Sequence, residues 1–153
     1  TQWDVMLNKF IGTTNANGVT FTEADMKNSS KWGNYYNNNL TYTGRSATEF
    51  QSGSNWYISL WGAKQINAET KANTRTLFTT GASKFTEAYH TYDVAGNVHE
   101  WTEEIGQNIN YRVARGGSSH NPSGNNPVCY RCGHYIISLL SSEVGFRVVL
   151  YIK

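Results

Sequence analysis

Charge, cysteine and proline are all scarce in this sequence. Asp, Glu, Lys and Arg together reach only 16% of the 153 residues, whereas aromatics alone reach 14%, with ten Tyr and five Trp. That balance excludes a helical bundle, which draws on Leu, Ala, Glu and Lys. The two cysteines, Cys129 and Cys132, cannot build a disulfide framework. Lys and Arg are scattered singly and the formal net charge is +2. The basic stripe of a nucleic-acid binder is missing. No apolar run is long enough to span a bilayer, and no secretory pattern opens the chain. The chain starts at Thr1-Gln2-Trp3 without Met, which reads as a processed chain or part of a longer one. What remains is rich in Tyr, Trp, Asn, Ser and Gly, the composition of an adaptable, loop-rich, extracellular-type surface. The length suits one domain, 1–153, with a real core.

Trp3, Met6, Leu7, Phe10 and Ile11 recur at helical spacing and stop at Gly12, so the opening is a helix with one apolar face. Asn15-Ala16-Asn17-Gly18 reads as a turn, and Thr22 with Asp25 as the start of a short helix near 23–28. From Ser29 to Ser54 the chain is polar and irregular. Short apolar pieces follow at Tyr92–Val98 and Tyr111–Ala114. Phe146, Val148, Leu150 and Ile152 alternate with Arg147, Val149 and Tyr151, which predicts a last strand with one buried face. Helices first and short strands last make an α+β domain with long ordered loops.

Three pieces carry the functional reading. Gly96-Asn97, followed by Glu100-Trp101, combines a turn that takes positive φ with a large apolar anchor. Arg115-Gly116-Gly117-Ser118 allows two backbones to come close. Gly145-Phe146-Arg147 sits near the end, with Arg147 expected to pair with a buried acceptor, Glu100 being the candidate.

In this order and spacing the three resemble the formylglycine-generating-enzyme-like (sulfatase-modifying factor) family, with His99 where that family usually has Trp. Gln2-Trp3-Asp4 resembles the family's helix start. The resemblance implies a C-type-lectin fold: a small twisted antiparallel sheet, two helices and long ordered loops. It also implies a calcium ion held by the side chains of Asp93 and Glu100 and the carbonyls of Gly96 and Val98, although the reading requires no cofactor. The family's oxidases carry two copper-binding cysteines soon after R-G-G-S, and soft thiolates suit Cu(I). Here Ser119, His120 and Asn121 stand there, and the only thiols are Cys129 and Cys132. That departure argues against catalysis. A zinc or redox role for Cys129-x-x-Cys132 has only His120 and His134 near it in sequence. The four histidines, 90, 99, 120 and 134, read as surface or turn residues.

The stretch 119–144 is unusual in composition. It has no Trp, Gln, Met or Lys, and a single Glu at its end. Those five types are the ones a codon ending in a pyrimidine after two free bases cannot encode, and randomising an Asn codon at its adenines gives that set. The stretch resembles the variable region of proteins served by diversity-generating retroelements, which lies between R-G-G-S and G-F-R. The resemblance implies a surface made by Ser119, His120, Asn121, Ser123 and Asn125, then Val128, Tyr130, Cys132, His134 and Tyr135, and lastly Ile136, Ile137, Leu139 and Leu140. Pro122, Pro127 and Arg131 read as fixed scaffold. Tyr135 to Leu140 fits a buried strand as well as an exposed patch. The implied partner is a protein or glycan on a host or target surface, met from a phage tail or bacterial surface. Two alternatives stand beside this reading: a divergent oxidase using Cys129 and Cys132, and a fixed lectin stacking sugars on Trp32, Tyr35, Tyr36, Trp56 and Trp61. For those aromatics, core packing is the favoured role.

Overall fold

The computed structural model describes residues 1–44, 48–52, 55–59, 66–69, 75, 77, 80–136, 138, 141 and 143–147. Two α-helices open the chain. Helix α1 spans Gln2–Phe10 and begins with a capping box, in which Thr1 accepts from the Asp4 N–H and the Asp4 carboxylate reaches back to Thr1. Helix α2, Glu23–Lys27, begins the same way with Thr22 and Asp25. Trp3, Leu7 and Phe10 point into the core. Ile11, expected to extend that face, falls beyond the last turn and is exposed. The chain turns there at Gly12, whose φ is +84°, toward a bridge between Thr14 and Thr20. The expected turn between them forms because the Asn15 side chain accepts from the N–H groups of Asn17 and Val19.

Ten strands follow among the described residues: β1 (Thr41–Gly44), β2 (Thr48–Ser52), β3 (Asn55–Ser59), β4 (Ile66–Glu69), β5 (Glu87–Ala88), β6 (Thr91–Tyr92), β7 (His99–Ile105), β8 (Tyr111–Arg115), β9 (Arg131–Ile136) and β10 (Val144–Gly145). β1 pairs with β4, β2 with β3 and β5 with β6, each antiparallel. The main sheet runs β10-β7-β8-β9, antiparallel except for β10, which lies parallel to β7. The domain is therefore α+β, with a mixed rather than wholly antiparallel sheet.

Three local expectations change. The stretch 29–54, expected to be irregular, contains β1 and β2, since its Thr, Tyr and Phe suit a pleated strand. The apolar piece 92–98 is mostly turn: Asp93, Gly96 and Asn97 all take positive φ while Val94 and Ala95 are buried. Among the described residues, strand pairing near the end goes no further than Gly145; Phe146 is 78% exposed and Arg147 lies outside any strand. Residues 148–152 of the expected last strand lie outside the described residues.

The core gathers Trp3, Leu7, Phe10, Phe21, Met26 and Trp32 around Tyr35, Val94 and Val128. Phe10 meets Trp32 edge-on at 6.1 Å, and Phe21 lies 4.8 Å from the same ring. Burying each such ring is worth roughly 1.5–3 kcal/mol. Polar ends are satisfied as well: Trp32 Nε1 donates to the Asp25 carbonyl at 3.3 Å and Trp3 Nε1 to the Val128 carbonyl at 3.0 Å. The second bond ties α1 to the segment leading into β9.

Candidate functional site

Two positive-φ turns meet at the centre of the site. Gly96 and Asn97 have φ +74° and +64°, Gly116 and Gly117 +91° and +75°. The Gly96 N–H donates to the Gly116 carbonyl at 2.7 Å, and the Ser119 N–H to the Asn97 carbonyl at 2.9 Å. Asn34 completes the junction. Its N–H donates to Ala95, its carbonyl accepts from Asn97 and its amide bonds the Asn97 side chain at 3.1 Å. Tyr35 donates to the Gly116 carbonyl at 2.8 Å, and burial pushes its hydroxyl far above the ordinary tyrosine range. A methyl group at Gly96 would lie 2.1 Å from the Asn34 carbonyl oxygen, and one at Gly117 2.1 Å from that of Asn126. Only glycine fits either place.

The arginines of the motif are held internally. Arg115 is 1% exposed, pairs with Asp4 of α1 and donates to the Cys129 carbonyl at 3.1 Å. The Thr1 hydrogen bond, with Arg115 adding to it, holds the Asp4 carboxyl below its ordinary value. Glu104 lies between two guanidiniums, 3.8 Å from Arg115 Nε and 2.5 Å from Arg131 Nη2, as ion pairs without hydrogen-bond alignment. Arg147 Nε reaches both Glu100 oxygens, at 2.9 and 2.8 Å, which is the pairing anticipated from sequence. Trp101, the other motif residue on β7, is half-buried opposite Ala114.

The groups named for calcium fit it poorly. Calcium takes six to eight oxygens. Asp93 Oδ1 is buried without a partner, which would suit a cation, but Oδ2 accepts from the Gly81 N–H at 2.9 Å. Glu100 is engaged by Arg147 on both oxygens, so a dication would have to displace the guanidinium. Burial pushes both carboxyls above their ordinary values. Among the described residues no three His, Cys, Asp or Glu side chains group around a metal-sized space.

His99, read from sequence as a surface or turn residue, is 1% exposed. It holds both ends of the 119–144 stretch. Its N–H donates to the Glu143 carbonyl at 2.7 Å, and Nε2 lies 3.1 Å from Asn121 Oδ1. Asn121 also accepts from Ser118 Oγ at 2.9 Å and, through its carbonyl, from the Tyr36 N–H at 3.0 Å. His120 Nδ1 stands 3.5 Å from Glu143. Burial lowers the pKa of both imidazoles, and the Glu143 carboxylate opposes that.

The front half of the expected binding stretch is part of the scaffold. Ser119, Ser123 and Val128 are buried and contribute no exposed surface. Asn37 accepts from the Ser123 N–H at 2.8 Å, and Ser29 Oγ from the Val128 N–H at 3.0 Å. Only Asn125, with Pro122 and Gly124, is exposed before β9. Tyr130 and Cys132 are half-buried, and Ile136 is 43% exposed. His134 and Tyr135 are placed by backbone only; Ile137, Leu139 and Leu140 lie outside the described residues. Of the two prolines read as fixed, Pro127 is buried and Pro122 is exposed. Neither cysteine is in a disulfide, and both are half-buried, Cys129 in the turn before β9 and Cys132 within it. Of the aromatics offered for sugar stacking, Trp32 and Tyr35 are core residues and Tyr36 is half-buried. Trp56 is placed by backbone on β3, and Trp61 lies outside the described residues.

The profile of the sulfatase-modifying factor enzyme 1-like domain matches residues 20–152. The chain belongs to that family. Comparison with curated proteins and with solved structures gave no match. The match begins after α1, yet in this sulfatase-modifying-factor-like domain α1 supplies Asp4 to Arg115 and Trp3 to Val128. The hubs Asn34, Asn37 and Asn121 were not singled out as structural from sequence. An asparagine in a polar stretch looks the same whether its amide faces water or a buried backbone.

Proposed function

We propose that this domain is a ligand-binding variable protein of the diversity-generating-retroelement kind, built on a C-type-lectin scaffold and displayed on a phage tail or bacterial surface. One observation carries the reading. The two glycine turns, Asn34 and His99 fix both ends of the 119–144 stretch, and the composition of that stretch fits pyrimidine-ending codons. A rigid frame around a tolerant segment is what a diversified binder needs. In this reading the frame leaves Asn125, Tyr130 and the residues of β9 for the binding surface.

Family membership favours a second reading, a divergent oxidase. Against it, no cysteine is found among Ser119, His120 and Asn121, where the first of the family's metal-binding thiolates falls, and Asn121 is engaged by Ser118 and His99. Replacing Cys129, which lies outside the expected binding surface, by Ser separates the two. A binder keeps its fold and its ligand, whereas a thiol oxidase loses copper binding and turnover. Sequencing the gene across its source population tests the binder directly, since substitutions at adenines within 119–144 are expected and an invariant stretch would exclude it.

A further inference from the structure

We propose that the tip of the β5–β6 hairpin is a constant glycan-binding site, separate from the 119–144 stretch, at which the Tyr89 ring stacks on an uncharged sugar while His90 and Lys84 bond its hydroxyls.

The backbone singles out this tip. Tyr89 and His90 are the two loop residues between the pairs Glu87–Tyr92 and Ala88–Thr91, and both take positive φ, +46° and +61°. Bulky residues rarely adopt that conformation, which Asn-Gly takes at little cost. Strain of this kind gathers at ligand-binding sites. Here it holds both rings out to solvent: Tyr89 is 58% exposed and the His90 side chain 92%. The ring centroids are 5.8 Å apart with the planes tilted by 43°, an open wedge rather than a flat stack.

The residues behind the wedge share its side of the hairpin. Glu87, its side chain 12% exposed, places one oxygen 3.7 Å from His90 Nδ1 and the other 3.8 Å from Lys84 Nζ. Lys84 donates to the Tyr92 hydroxyl at 2.8 Å and lies 5.3 Å from the centre of that ring. The Tyr92 ring is thus engaged by Lys84, which leaves Tyr89 to meet a ligand. Ala88, which alternates with Glu87, points the other way into the core.

The chemistry selects the occupant. Tyr89 offers a flat apolar face with a hydroxyl at its edge, which suits the C–H face of a sugar ring. The Lys84 ammonium, on a side chain 68% exposed, has three N–H donors, and Tyr92 takes one of them. The His90 imidazole adds a further hydrogen-bonding edge, and sugar hydroxyls can both donate and accept. Glu87 offsets the charge of Lys84, so the tip has no surplus cation for a phosphate or a carboxylate. A protein partner needs a broader apolar patch than two polar-edged rings on a two-residue loop.

Affinity electrophoresis of the full chain in gels holding mannan, dextran or galactan tests the site, with polygalacturonate as the anionic comparison. At least one neutral polysaccharide should retard the chain, and added salt should not release it. Tyr89→Asn with His90→Gly should weaken that retardation about tenfold while the melting temperature rises, a combination that a purely structural role would not give. Tyr89→Phe, which keeps the ring, should bind nearly as the parent does, whereas Tyr89→Ser should lose most of the retardation. Four results overturn the proposal: unchanged migration in all three neutral gels, retardation by polygalacturonate alone, retardation that the Asn-Gly variant keeps, or a dimeric parent chain that this variant makes monomeric. Each of these leaves the reading of 119–144 standing, because the tip lies outside that stretch.

Discussion

Arg147 closes on Glu100 with Nε near both carboxylate oxygens, and Nη2 bonds one of them. The pair joins the end of the chain to β7, beside the turn that holds the 119–144 stretch. Arg147→Met leaves a buried carboxylate uncompensated and should cost about 3 kcal/mol, the low end for breaking a buried pair. Adding Glu100→Gln should recover part of the loss. Urea unfolding of the two single variants and the double variant gives the coupling directly.

Gly117 tests the junction. An alanine there places its methyl group against Asn126 and Tyr35 and demands φ +75°. The expected loss is about 3 kcal/mol from overpacking, with the folded fraction falling accordingly. Gly18→Ala is the control: nothing lies within 4 Å of it, so only the left-handed strain of about 1 kcal/mol remains. Circular dichroism melts of both variants distinguish crowding from backbone strain.

Burial depresses the pKa of His99 and His120. The unfolded chain then binds protons first as pH falls through the ordinary imidazole value of about 6.5. Their contribution is full above that value and is lost as pH falls toward the folded values. Asp93 and Glu100, raised by burial, act in the opposite sense: they favour the fold at low pH and lose that effect as pH rises through their folded values. Melting temperature should drop from about pH 7.5 to about pH 5.5, and less steeply in His99→Gln, which keeps a hydrogen-bonding side chain for Asn121.

The β5–β6 turn carries strain that can be removed. Tyr89 and His90 both take positive φ, at +46° and +61°, between the pairs Glu87–Tyr92 and Ala88–Thr91. Two-residue hairpins with that geometry prefer Asn-Gly. Replacing Tyr89 by Asn and His90 by Gly should stabilise the domain by about 1 kcal/mol, read as a higher melting temperature.

The parts of the fold legible in the sequence were those governed by local rules. Trp3, Leu7 and Phe10 announced α1 by spacing, and Thr22 with Asp25 announced α2 by capping. Glu100 and Arg147 were paired correctly because a buried arginine needs a carboxylate and few were available. Long-range polar contacts were not legible. Nothing near Asn121 signals that His99, at the start of β7, reaches the side-chain oxygen that Ser118 also bonds. Codon composition marked 119–144 as one segment, but burial divides it: Ser123 and Val128 hold the frame while Ile136 faces solvent. Composition reports which residues a codon can encode, whereas burial depends on partners such as Asn37 and Ser29 far back in the chain.

The measurement that tests the central claim most directly is deep sequencing of the 3′ end of this gene across its source population. The account predicts substitutions at adenines of codons 125, 130, 132, 134 and 136. Arg115 to Ser119, Ser123, Val128, Gly145 and Arg147 should stay constant. An invariant stretch, or variation spread evenly over the buried codons 119, 123 and 128, would contradict it.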